Sequence, residues 1–218
     1  MNIIGRGWQY CVYDLDNGRV QKEYNSTVVG YLYILKDYLE YKKYDLWKIP
    51  FVYKNCKSDA KDSVENIQNS DVPSWMLAHA KYLGSGLAYE QDKVRPLRMV
   101  FKEGDDESNK AVIDSFVELT LQLFNEGIGD KGFNISNNFG LDTSGRVVLI
   151  DLGEVYSGDR LLQQIVNKSW ASDYVLDGLP NTLRLYFIQK MNFAFEGLGG
   201  LKTKQTNQSK NDTSAPGQ

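Results

Sequence analysis

Apolar and polar residues alternate from the start of the chain. IIGRG, YCVYDL and RVQKEY each read as a strand, and DNG at 16–18 reads as a hairpin turn because Gly18, and Asn17 at small cost, accept positive φ. The pattern predicts a compact β-meander. Ser26 can then cap a helix over 27–43, where Val28, Val29, Leu32, Leu35 and Leu39 recur at helical spacing. From 48 to 75 the chain turns polar (KNCKSDAKDSVENIQNSDVPS), which predicts an exposed insertion with at most a short helix. A short helix over 74–82 follows, then two strands near 86–91 and 96–102 joined by a turn around QDK. KEGDDES at 102–108 shifts the composition abruptly and reads as a link between lobes.

Beyond that link, NKAVIDSFVELTLQLFNEG puts Val112, Phe116, Leu119, Leu123 and Phe124 on one stripe, and Gly127 stands where a helix end wants positive φ. FGLDTSGRVVLIDLG predicts a hairpin turning at DTSG, and amphipathic helices are expected over about 159–170 and 180–195. The tail from 199 is polar, lacks aromatic residues and is expected to be disordered. No internal repeat is visible.

Composition narrows the chemistry. With 218 residues, 42% of them apolar and 24% charged, the chain can bury one sizeable core or two small ones. A net charge of −3 disfavours a nucleic-acid protein working by bulk electrostatics. Cys11 and Cys56 make no disulfide framework or zinc spacing, and no apolar run approaches a membrane span. MNIIGRGWQY lacks the layout of a signal peptide, so a reducing, cytoplasmic setting with no membrane partner is expected; export that reads no N-terminal signal is left open. The single histidine, His79, sits among apolar neighbours at helical spacing, which points to packing rather than a hydrolase triad. No GxSxG, HExxH or GxxxxGK[ST] pattern offers another route.

Three short stretches carry candidate chemistry. Gly5 and Gly7 in IGRGWQYCV let a strand turn close to a ligand, so that backbone N–H groups can meet phosphate oxygens. Lys22 lies ten residues past Val12 on the third strand, where it can place a point charge over those oxygens. VVLIDLG ends an apolar run on Asp151, thirteen residues after Asn138 in NNFGL. An ionised Asp151 without a partner inside a core is strongly unfavourable, whereas at a strand end facing a cleft it can hold a hard cation.

Taken in order, glycine loop, strand lysine, helix, link, long helix and N-x12-D-L-G resemble the protein-kinase-like fold over roughly residues 1–195. That family includes small bacterial kinase-like proteins and aminoglycoside phosphotransferases. The resemblance implies an α+β, two-lobed protein: a small antiparallel β-sheet lobe over 1–104, a mainly helical lobe over 105–198, and the tail over 199–218. GRGWQYCV matches the family's first two glycines and its valine, with Tyr10 at the third glycine. The resemblance implies ATP and Mg2+ as ligands: Gly5, Gly7 and Val12 around the nucleotide, Lys22 on its phosphates, Asn138 and Asp151 on the metal. Met99, Val100 or Phe101 would lie near the hinge, and Glu40, with Asp37 competing, would lock Lys22.

The departures matter as much. Five residues before Asn138, where the family carries its catalytic aspartate, stands Phe133, and the motif's His and Arg are absent. Asp130, three residues earlier, could supply the base if the loop runs longer, although an Asp between glycines is also an ordinary turn residue. DLG runs almost directly into a helix, leaving no long activation segment and no APE. Three readings stay open: a phosphotransferase acting on a protein or a small hydroxyl compound, a pseudokinase serving as a binding or regulatory module, and an α+β interaction protein without nucleotide. YLEYKKYDLWK at 38–48 mixes aromatic and basic residues in a way that could touch nucleic acid or a partner, although a helix end with ordinary packing is favoured.

Overall fold

Alternation at the N-terminus folds as expected into three antiparallel strands, β1 (Asn2–Arg6), β2 (Tyr10–Asp14) and β3 (Arg19–Tyr24). The computed structural model describes residues 1–7, 9–41, 46–84 and 86–196; the side chains at 37, 38, 40, 41 and 46 lie outside that description. The expected disorder over 199–218 and the pairing of Glu40 or Asp37 with Lys22 therefore fall outside the described residues.

Helix α1 (Thr27–Tyr41) follows, but it buries Ile34 against Ile49 and Tyr53, while Val28, Leu32 and Leu39 are exposed. The supposed insertion is α2 (Ile49–Gln68), a twenty-residue helix. Its buried positions Ile49, Tyr53, Cys56, Asp59, Ala60 and Ser63 repeat at helical spacing, though Ala60 is small and Asp59 and Ser63 are polar. Such a stripe carries little hydrophobicity, which is why the segment reads as solvated. Residues 74–82 form a single 3₁₀ turn at Ser74–Leu77 and then β4 (Lys81–Tyr82) rather than one helix. His79 sits exposed in the turn between them, its Nδ1 at 3.2 Å from the Ser74 hydroxyl.

After β5 (Tyr89–Asp92) and β6 (Arg95–Pro96) comes α3 (Leu97–Glu103), where a strand was expected. Pro96 at its cap, and Leu97, Val100 and Phe101 at i, i+3 and i+4, favour a helix whose one face enters the core. The first sheet has the order β1-β2-β3-β5-β4 and is antiparallel throughout.

Helix α4 (Asp106–Asn125) matches its sequence signals: the Asp105 carboxylate accepts from Ser108 N at 2.8 Å, and Asp106 and Glu107 face the positive end of the helix dipole. Ile113, Phe116, Val117, Leu119 and Leu123 are buried, and the helix stops where Gly127 takes φ +80°. The rest of the chain runs through β7 (Ile128–Asp130), α5 (Ile135–Asn138), β8 (Phe139–Leu141), β9 (Val147–Leu149), β10 (Val155–Ser157), α6 (Gly158–Val166), α7 (Asp173–Leu176) and α8 (Asn181–Ala194). Strands β6, β8 and β9 make one small antiparallel sheet, and β7 pairs with β10. One core cluster joins Tyr10 and Tyr89 of the first sheet to the helical half. The protein is thus a mixed α+β fold with antiparallel sheets. Among the described residues, no helix is long and apolar enough to cross a membrane.

Candidate functional site

Register decides what the first sheet presents below it. Lys22 pairs with Val12 on β2 and with Tyr89 on β5, so its side chain emerges from the middle of the sheet. It is only 8% exposed, and its Nζ donates to the Ile150 carbonyl at 2.6 Å while lying 5.5 Å from the Tyr89 ring centre. Burial pushes the ammonium below the ordinary lysine range, and the nearby Asp151 carboxylate opposes that shift. Tyr89, buried beside it, donates from its hydroxyl to Ile150 O and accepts from Leu152 N, both at 3.2 Å. This tyrosine fastens the sheet to the chain on either side of Asp151, a role that nothing in its alternating strand pattern singled out.

Asp151 follows β9, just where the strand opens. Its N–H donates to the Asn138 carbonyl at 3.2 Å, as does that of Ile150 at 2.8 Å, so the acid and the amide are joined through the backbone. Its Oδ1 accepts from Gly153 N at 3.2 Å. Gly153 has a separate requirement: a Cβ there would stand 2.2 Å from Gln9 Oε1 and 2.9 Å from the Tyr10 ring. Only glycine lets the tip of the β1–β2 hairpin close over the loop.

A cleft of about 980 Å³ separates the sheet from these groups. Gly5, Gly7, Val12, Val20 and Lys22 wall it from one side, Gln91 and Val94 from the back, and Asn138, Leu141 and Asp151 from below. The structure brings Gly5, Gly7, Val12, Lys22, Asn138 and Asp151 to this one cleft. Of the three positions expected near the hinge, Met99 lines the cleft, whereas Val100 and Phe101 turn into the core; Lys93, Val94 and Arg95 line it as well.

Asp130 is placed differently. It ends β7, is 1% exposed, and belongs to the wall of neither large cavity. Its carboxylate accepts from Asn138 Nδ2 at 2.7 Å and from Asn134 N at 2.8 Å. The candidate base is therefore a buried brace behind Asn138, which leaves the side-chain oxygen Oδ1 of Asn138 for the cleft. Phe133, also 1% exposed, takes φ +55° and packs edge-on to Trp170 with ring centres 5.5 Å apart, so it belongs to the core.

Burial raises the Asp130 carboxyl to about 7, against the pull of its hydrogen bonds from Asn138 and Asn134. A carboxyl that binds its proton more tightly folded than unfolded lends stability fully present below the ordinary carboxylate range and lost as pH rises through about 7. Thermal unfolding in magnesium-free buffer should therefore show a midpoint that falls between about pH 4 and 7 and then levels off, more steeply in the wild type than in Asp130→Asn. Parallel profiles would place the carboxyl in water.

A second charged group, invisible in the sequence, ties α2 to the segment after Asp151. Lys131 Nζ donates to Asp59 at 3.0 Å and to Glu154 at 2.9 Å, and Arg160 bonds Asp59 and Asp62 at 2.5 and 2.9 Å. Burial alone would lower Lys131, yet Glu154 and Asp59 hold it above the usual lysine range. Ser63 accepts from Val155 N at 2.7 Å, and Asn66 donates to Val155 O at 2.8 Å.

Comparison with known proteins gives a sparse picture. No family model matches the chain. A search of curated proteins found no relative. Among solved structures, the chain is similar to Rv3197 from Mycobacterium tuberculosis in its complex with erythromycin, at 14% identity and a TM-score of 0.46. The match covers 81% of this chain and 52% of the other, so the chain spans about half the length of that protein.

Proposed function

We propose that the protein is a kinase-like phosphotransferase that binds ATP with Mg2+ and passes a phosphoryl group to a protein or small hydroxyl acceptor. One observation carries the reading: Lys22, Asn138 and Asp151, remote in sequence, face one cleft under a glycine-bearing hairpin. Backbone N–H groups at Gly5 and Gly7 and the Lys22 ammonium suit phosphate oxygens. The donor set also fits a hard divalent cation, because Asp151 offers carboxylate oxygen and the Asp130 brace turns the Asn138 amide so that Oδ1 is free. Among the described residues no three His, Cys, Asp or Glu side chains gather. A cation held here draws its remaining ligands from phosphate and water, as Mg2+ commonly does. When bound, it neutralises charge on the phosphates.

In the transfer, the acceptor oxygen bonds to the terminal phosphorus as the bond to the bridging oxygen of the diphosphate breaks. ADP leaves, and the hydroxyl proton passes to solvent. General-base help is worth roughly 10²–10⁴-fold, whereas positioning and charge neutralisation dominate this chemistry, so turnover without an aspartate base is feasible but slow.

The inward-facing Asp130 favours a second reading, a pseudokinase that binds nucleotide without turnover. Both readings predict that ATP with Mg2+ at about a hundred times Kd raises the melting temperature by about 5–10 °C, and that Lys22→Ala and Asp151→Ala each lose most of this rise. Labelled ATP then separates them: self- or substrate labelling that disappears in Asp151→Ala supports the enzyme. No thermal response to ATP with Mg2+ would remove both.

A further inference from the structure

A second chamber of about 720 Å³ opens on the other side of Asp151, and the two cavities share Gln9, Asn138, Asp151 and Tyr174 as a common wall. Its size suits a small molecule of one or two rings rather than a folded partner. We propose that this chamber is the acceptor subsite and that it takes an uncharged, polyhydroxylated small molecule such as a sugar or cyclitol; the proposal rests on the phosphotransferase reading and names its substrate class.

Charge balance supplies the first reason. Four charged side chains line the chamber, and they are two of each sign: Lys131 and Lys168 against Asp151 and Glu154. Lys131 and Glu154 already neutralise each other at 2.9 Å. The field inside has no net sign to select a cationic amino sugar or an anionic phosphosugar.

Hydrogen-bonding capacity is the second. Amides dominate the remaining polar lining, with Asn134, Gln164 and Asn167 joined by the hydroxyls of Ser169 and Ser172. Each amide both donates and accepts, which is what a ring of hydroxyls requires. One buried amide donor on this lining, Gln9 Nε2 in a residue 4% exposed, lacks a hydrogen bond, while the Asn134 amide meets the Tyr174 hydroxyl. An unsatisfied buried donor is costly, and an oxygen-rich ligand would satisfy it. Tyr174 adds an aromatic face of the kind that covers the C–H side of a sugar ring. Since Asp151 belongs to both walls, a hydroxyl bound here lies next to the place where a terminal phosphate in the cleft would end.

The test is binding without nucleotide, measured on the full chain by saturation-transfer NMR and calorimetry. The probes are maltose and myo-inositol, a polyamino sugar, and a serine-containing octapeptide. Binding of a neutral probe in preference to the other two is expected. Gln164→Leu keeps the side-chain bulk and removes one amide from the lining; it should weaken the neutral probe about tenfold. Ser172→Trp, at an exposed position without a capping bond, should block the chamber while leaving the ATP and Mg2+ thermal response intact. Selection of the polyamino sugar or the peptide, absence of binding by every neutral probe, or neutral binding unaffected by both variants would overturn the proposal. Because nucleotide is left out, neutral binding that both variants weaken, without any ATP response, would sink the phosphotransferase reading alone.

Discussion

Phe133→Asp, the substitution that would restore an acid five residues before Asn138, is expected to unfold the protein rather than equip it. Phe133 is fully buried, with its ring edge-on to Trp170 at 5.5 Å and tilted on Phe195 at 5.9 Å, while Trp170 stacks on Phe195 at 5.5 Å. Losing a buried phenylalanine ring costs about 3–5 kcal/mol. The aspartate would then face this aromatic cluster without a partner, which costs about as much again or forces it to take up a proton. Asp tolerates the positive φ better than Phe, but that preference is small beside these terms. Against a total stability of about 5–15 kcal/mol for a domain, the folded population should collapse. Urea denaturation of Phe133→Asp beside Phe133→Leu checks this, with Leu expected to cost far less. A Phe133→Asp protein that melts like the wild type and labels substrate faster would put residue 133 in the cleft and refute the packing argument.

How far the sequence discloses this arrangement depends on where each element's signal lies. Helix α4 carries its own cap, acidic first turn, apolar stripe and terminal glycine, so it is legible without context. The β8–β9 hairpin and the exit at Asp151 are equally local, being a turn between two short apolar runs. Helix α2 is not, because what it buries is small or polar. Asp59 and Ser63 enter the interior only because Lys131, Arg160 and the Val155 backbone, some 72 to 101 residues away, meet them there. The segment at 96–102 fails for a different reason. LRMVF is a short apolar run that suits either period, and its Leu97, Val100, Phe101 spacing is decisive only once Pro96 is seen to start a helix. On α1, three of the five apolar residues at helical spacing stay exposed, and the face that packs on α2 is made by Ile34 with Tyr31 and Leu35, against an element the pattern did not reveal. In the site itself, Gly5, Gly7, Lys22, Asn138 and Asp151 stand out in the sequence, whereas the residues that orient them, Tyr89 and the inward face of Asp130, depend on distances no local pattern contains.

Asp130→Asn should weaken magnesium-dependent nucleotide binding by about tenfold or more while leaving the fold intact, although residue 130 touches neither cavity. Two donors converge on this carboxylate, Asn138 Nδ2 and Asn134 N. An asparagine there has one oxygen for the two. The backbone donor cannot turn away, so the new amide gives its oxygen to Asn134 N and points its own NH2 at residue 138. Asn138 must then rotate its amide, turning Oδ1 inward and presenting N–H groups to the cleft, where a cation repels them. The exchange Asp130→Asn with Asn138→Asp reverses the polarity of the pair: the amide at 130 donates to a carboxylate at 138, and carboxylate oxygen again faces the cleft. The double variant should therefore recover the magnesium-dependent thermal shift that the single variant loses, a non-additivity that simple loss of a buried hydrogen bond would not produce. If Asp130→Asn binds ATP with Mg2+ as the wild type does, Asn138 is not a metal ligand and the cleft must hold its phosphates by Lys22 and the glycine backbone alone.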